Sequence, residues 1–222
     1  MNNWIEYWSH ETQFACNLHK RISYDAIFEG LKPFVLKHYR VLDFGCGEAL
    51  FAKRLSYICK DLYLYDAAET LMDNLKSKIQ ETNIHIHRDY VDLEEIDLIL
   101  ISSVSQYISK ESFTELLKSL KPCLSKNGKI IISDVVPIKN SLVIEIFDLL
   151  RISLKNGFFF NALLKLASSF FGKYSKIRSS FPLTKYNPQS LEKIAGSLKY
   201  SFELQKTNLG LNSNRYTVIL KN

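Results

Sequence analysis

Val41-Leu42-Asp43-Phe44-Gly45-Cys46-Gly47-Glu48-Ala49 is the stretch on which the fold turns. It opens as a short apolar run and stops at a Gly-Cys-Gly turn. Leu50, Phe51, Leu55 and Ile58 then recur at helical spacing, which predicts a helix over 48–58. Strand, glycine turn and helix in that order form the place where an open α/β sheet binds ligands, at the carboxyl end of a strand. The glycines let backbone approach a ligand closely, and the helix offers free N–H groups and a positive dipole end.

Outward from this point the chain keeps the same rhythm. Runs at 62–65, 84–87, 96–101 and 129–136 read as strands, the one at 96–101 apolar enough to be covered on both faces. Between them 68–79 and 110–124 carry apolar stripes at helical spacing, Leu71, Met72, Leu75 and Ile79 in the first and Phe113, Leu116, Leu117 and Leu120 in the second. Strands separated by helices mean β-α-β units and a parallel sheet. Upstream, 4–18 and 22–36 read as helices. Downstream come two very apolar helices at 142–154 and 158–171, a helix at 188–198, and strands at 201–205 and 215–220 that pair antiparallel on the sheet edge. The expected architecture is an α/β, Rossmann-like, seven-stranded, mostly parallel sheet with helices on both faces. Its parts are N-terminal helices (1–38), a cofactor-binding core (39–137), a helical cap inserted after strand five (138–188), and a closing helix and strand pair (189–222). One domain is expected for 222 residues.

Composition excludes other classes. With 46% apolar and 23% charged residues the chain is ordinary globular protein, neither disordered nor fibrous. Cys16, Cys46, Cys59 and Cys123 form no C-x-x-C pair, so no zinc site is expected. The first fourteen residues lack a basic n-region and an apolar h-region, and no window of eighteen residues is apolar throughout, so a cytoplasmic location is expected. Charge is uneven. Residues 1–150 hold 17 Lys and Arg against 21 Asp and Glu, whereas 151–222 hold 12 against 2.

A nicotinamide-dependent oxidoreductase is the first rival reading of the glycine turn. It requires G-x-G-x-x-G, and Leu50 occupies the third position. What remains is acid-x-Gly-x-Gly, and Asp43-Phe44-Gly45-Cys46-Gly47 resembles the glycine-rich motif of the class I S-adenosylmethionine-dependent methyltransferases, with Ala49 in place of the usual third glycine. Four further features match in order. Asp66-Ala67, nineteen residues after Gly47, stands where that family's ribose-binding acid stands, and a carboxylate there can accept from both ribose hydroxyls. Asp89-Tyr90 sits where the adenine amine is met. Ser102-Ser103-Val104-Ser105-Gln106-Tyr107-Ile108 is similar to the family's "N-S-V-L-Q-Y-L" stretch beside the methyl group. Lys121-Pro122-Cys123-Leu124 with Asn127-Gly128 is similar to the "L-K-P-G-G" turn. The resemblance implies S-adenosylmethionine as cofactor, no metal, and methyl transfer to a small, partly apolar or anionic acceptor. A cofactor-binding subunit without catalysis is the alternative.

Other residues carry sharper and blander readings side by side. Tyr7, Trp8 and His10 fall in an amphipathic helix that either folds over the cofactor or packs on the core. His85 and His87 share a strand face, where solvated histidines are commoner than a metal pair. Cys46 reads as a small residue beside the cofactor, since no histidine partners it as a nucleophile. Asp134 either faces the substrate or caps the turn before Pro137. Substrate-side candidates are His10, Gln106, Asp134, Tyr174 and Arg178. Residues 151–188 hold seven cations, eight aromatics and no acid. That pattern fits a scaffold cap, a lipid-like or phosphorylated substrate, or peripheral contact with an anionic membrane, and it fits nucleic acid less well.

Overall fold

The computed structural model describes residues 3–10, 14–139, 141–171 and 173–222. Helices α1 (Asn3–His10) and α2 (Asn17–Leu31) precede β1 (Arg40–Phe44), α3 (Ala52–Ser56), β2 (Asp61–Tyr65), α4 (Glu69–Lys78) and β3 (Ile84–Ile86). Next come β4 (Ile96–Ser102), α5 (Lys110–Leu120) and β5 (Leu124–Val135). Three consecutive helices follow, α6 (Leu142–Asn156), α7 (Phe159–Phe171) and α8 (Lys173–Ser180), then α9 (Pro188–Ser197), β6 (Ser201–Leu204) and β7 (Tyr216–Lys221). The strands form one sheet in the order β3-β2-β1-β4-β5-β7-β6. The first five pair parallel, Val41 lying opposite both Leu62 and Leu98, while β7 runs antiparallel to β5 and β6.

Alternate residues of each inner strand serve opposite faces, as a two-residue period requires. Leu42, Ile99, Ile101, Ile130, Ile132 and Leu220 join one core with Phe113 and Leu117 of α5 and Leu191 of α9. Val41, Leu98, Leu100, Ile131 and Ile219 join the other with Phe28 of α2, Leu55 of α3 and Met72 of α4. Double burial of this kind is why β4 reads as a continuous apolar run.

Several expected boundaries move, each for a local reason. The predicted helix at 48–58 shrinks to Ala52–Ser56, because Ala49 takes a left-handed φ of 49° and the chain turns before it coils. The second N-terminal helix starts at Asn17 instead of 22, where the Cys16 sulfur accepts the His19 N–H, and it gives way to a 3-10 turn carrying Pro33. The antiparallel pair expected at the sheet edge is there, with the last strand inside it. Thr217, Val218, Ile219 and Leu220 of β7 are all buried, so β7 takes the interior place, and the largely exposed β6 forms the edge. Helix α8 is a separate element that the sequence pattern does not predict.

Candidate active site

Loops at the carboxyl ends of β1, β2, β4 and β5 open into a cavity of about 850 Å³. That volume lies within the roughly 300–1,000 Å³ of small-molecule sites. At its floor Gly45 and Cys46 both donate backbone N–H to the Tyr65 carbonyl, at 2.7 and 3.1 Å, which binds the glycine loop to the end of β2. Gly45 has a φ of 77°, and a Cβ built there would lie 2.3 Å from a Val104 methyl. Only glycine fits. Asp66 holds the loop from the other side, its Oδ2 accepting from Gly47 N–H and its Oδ1 from Ala68 N–H, both at 2.9 Å. Burial raises its pKa against those two hydrogen bonds. Each oxygen keeps a lone pair for a ligand hydroxyl.

Asp43 stands next to last in β1, only 3% exposed and without a hydrogen-bond partner among the described residues. Burial first, and the Asp66 charge second, push it up to about 7. A buried carboxylate left unpaired beside a cavity is a place for a cationic ligand group. Cys46 also lines the cavity, but burial drives its thiol well above its usual value. It stays protonated and is no nucleophile.

The far half is lined by apolar side chains together with Glu145, Asp148, Lys165, Arg178 and Arg215. Helix α1 brings Trp4, Ile5 and Tyr7 to the lining, with the Trp4 and Tyr107 rings 4.9 Å apart. Helix α6 adds Leu142, Ile146, Leu149 and Ile152, and α7 adds Leu166. His19 of α2 stacks on Phe158 at 5.0 Å and takes the Ala15 N–H on Nδ1. Burial lowers it to about 4, so it is neutral.

Two charge pairs in this half are matched internally. Arg178 donates to Glu145 at 2.9 Å. At the β5 bulge, where the register with β7 shifts, Asp134 takes a left-handed φ of 62° and turns its carboxylate toward Ser103, Asn208 and Arg215. Ser103 itself has a φ of 57°.

Of the residues singled out from sequence, the structure brings Tyr7, Asp43, Gly45, Cys46, Gly47, Asp66, Ala67, Ser102, Ser103, Asp134 and Arg178 to this one cavity. Asp89, Tyr90 and Gln106 are not among the lining residues, although the Tyr90 ring packs 5.1 and 5.0 Å from those of Phe44 and Tyr65, which are. Asp89 accepts the backbone N–H groups of Tyr90 and Val91 and so closes its own turn, while the Tyr90 hydroxyl meets Ser119 on α5. Gln106 is 1% exposed and lies off the lining, with its backbone carbonyl accepting from Thr184. Asp134 faces the cavity with its two oxygens accepting from Ser103, Asn208 and Arg215. The side chains of Trp8, His10 and Tyr174 lie outside the described residues. Sequence reasoning misses His19, Glu145 and Arg215. Only the last carries a sequence signal, a lone cation at the start of an apolar strand. Among the described residues no group of three His, Cys, Asp or Glu could hold a metal ion.

A model of methyltransferase domains matches residues 7–165. No curated protein matches the chain significantly. Solved structures of similar fold include the N-methyltransferase NodS of Bradyrhizobium japonicum in complex with S-adenosyl-L-homocysteine, at TM-score 0.58 and 10% identity, covering 100% of this chain and 97% of that one. Magnesium protoporphyrin IX methyltransferase from Synechocystis, with the same product bound, superposes at TM-score 0.55 and 16% identity, covering 97% of this chain and 90% of that one. A longer Nostoc punctiforme structure gives TM-score 0.59 at 14% identity, with 99% of this chain covering 60% of that one.

Proposed function

The chain belongs to the methyltransferase domain family, and we propose that its cavity binds S-adenosylmethionine and directs the methyl group to a small, partly apolar acceptor. One observation carries the reading. The glycine loop, the unpaired Asp43 and Asp66 share a single cavity with the apolar undersides of α6 and α7.

The residues fit the cofactor. Asp66 would accept from the ribose hydroxyls while still anchoring Gly47 and Ala68. Asp43 would face the α-ammonium, the counter-charge it lacks inside the protein. The bound cofactor supplies an activated sulfonium methyl.

On the acceptor side the chain orients and dries the site more than it moves protons. Asp134 and Glu145 each face an arginine, and His19 is too weak a base near neutrality. Alignment and exclusion of water are what Trp4, Ile146, Leu149 and Ile152 can provide. Arg178 and Arg215 already have carboxylate partners, which favours an apolar ring or chain over a phosphorylated acceptor.

Isothermal calorimetry tests the cofactor half of the reading. Asp66→Ala should weaken S-adenosylmethionine binding by about 1–3 kcal/mol, roughly 5- to 150-fold. Unchanged affinity would contradict the site. Labelled methyl groups supplied through the cofactor should appear in the organic phase of a cell extract.

A further inference from the structure

We propose that the outer face of the α6–α7 hairpin docks on an anionic lipid surface. The inner faces of these helices line the cavity, yet their outer faces are apolar too. On α6, Val143, Phe147 and Leu154 are 74%, 68% and 65% exposed, and their spacing of four and seven residues puts them on one stripe. On α7, Phe160 and Leu164 are 79% and 70% exposed, again four residues apart. A helix that is apolar on two opposite faces calls for cover on both. The sheet and cavity cover only one.

Charge says what the cover is. Both acids of α6 point inward, Glu145 to Arg178 and Asp148 to Asn214. Lys155 remains on its exposed surface, and so does Arg151, whose guanidinium also reaches Asp148 at 3.7 Å and Ser213 at 3.0 Å. No acid follows anywhere in 151–188. The face is therefore an apolar ridge bordered by cations, the composition of an amphipathic element lying in a headgroup layer, where lysine and arginine stems reach up to lipid phosphates. A second copy of this chain is a poor occupant, because a symmetric contact would bring two basic faces together. A protein anchor would sit in a pocket, whereas these side chains protrude and suit a deformable surface. Docking needs no cofactor, so it stands or falls apart from the reading of the cavity.

Flotation of the full chain with phosphatidylcholine vesicles, with and without phosphatidylglycerol, tests the docking. Flotation is expected with the anionic vesicles at low salt and is expected to weaken as salt rises. Phe147→Ser and Phe160→Ser each remove a large apolar contact and should lower the partition about tenfold or more. Lys155→Glu should lower it as well. All three positions are exposed, and unchanged thermal melting will show that the variants fold. Absence of flotation overturns the proposal. So does flotation that ignores both serine variants, since that is adsorption by charge alone. Self-association in sedimentation that the serine variants abolish, without vesicle binding, would overturn it too and assign the face to a second copy.

Discussion

Asp43 and His19 are two residues that burial moves away from their behaviour in water in opposite senses. Burial and Asp66 raise Asp43 to about 7, whereas a free aspartate titrates near about 3.9. Its folded pKa lies above its unfolded one, so its contribution to stability is full below pH ~4 and is lost as pH rises toward about 7. His19 is lowered to about 4 by burial. Its contribution is present above its unfolded pKa of roughly 6.5 and is lost as pH falls through the folded value. Across pH ~4 to 6.5 the two oppose each other, and the wild-type profile alone separates neither. Urea titrations of wild type and Asp43→Asn, compared at pH 5 and pH 8, isolate the carboxylate. The variant should gain on wild type as pH rises, by on the order of a few kcal/mol, because each tenfold change in proton affinity between folded and unfolded chain is worth about 1.4 kcal/mol. Parallel profiles would mean that Asp43 is not strained by burial.

At the scale of elements, caps and turns fix where the helices start and stop. Ser109 starts α5 by accepting Ser112 N–H at 3.1 Å, and Asn187 starts α9 by accepting Ser190 N–H at 2.7 Å. Helix α6 begins at Ser141 and ends at Gly157, whose φ is 79°. Nothing lies within 4 Å of a Cβ built at Gly157, so backbone strain alone sets the cost of adding one. Gly196 also has open space around it, but it sits inside α9 at ordinary helical backbone angles. The same chemical change should therefore act in opposite directions. Gly157→Ala should destabilise by about 1 kcal/mol, and Gly196→Ala should stabilise by roughly 0.5–1 kcal/mol. Thermal melting of the two variants checks this, and shifts of the same sign would refute it.

For the whole molecule the Asp134 cluster matters most, because it joins parts of the chain far apart in sequence. Ser103 arrives from the loop after β4, Asp134 from β5, Asn208 from the turn before β7, and Arg215 from the edge of β7. The Asp134 and Arg215 side chains are 14% and 15% exposed, so removing one partner leaves a charge with little water. Asp134→Ala should cost about 3 kcal/mol or more in chemical denaturation. Glu29→Ala breaks solvent-screened surface pairs with Lys32 and Arg54, and it should leave the denaturation midpoint where wild type has it. Equal effects would show that Asp134 does not bridge the sheet to the last strand.

The strands and the glycine loop were legible in the sequence because their causes are local. Period-two burial marks β4, helical spacing marks α4 and α5, and a Gly-Cys-Gly turn after an apolar run can hardly be anything but a close backbone approach. Charge asymmetry marked 151–188 for the same reason, being a property of composition. Partner choice is what only the tertiary structure decided. Asp89 reads only as an acid after a strand in one dimension, whereas in three its Oδ1 also closes its own turn by accepting the Tyr90 and Val91 N–H groups. Asp134 and Arg178 read as available for substrate, yet each meets an opposite charge more than thirty residues away. Phe158 and Phe160 are two residues apart and cannot be told apart by composition, but one is buried on His19 and the other is 79% exposed. Pairing and burial of this kind depend on which face of which element meets which neighbour, and local sequence does not encode that.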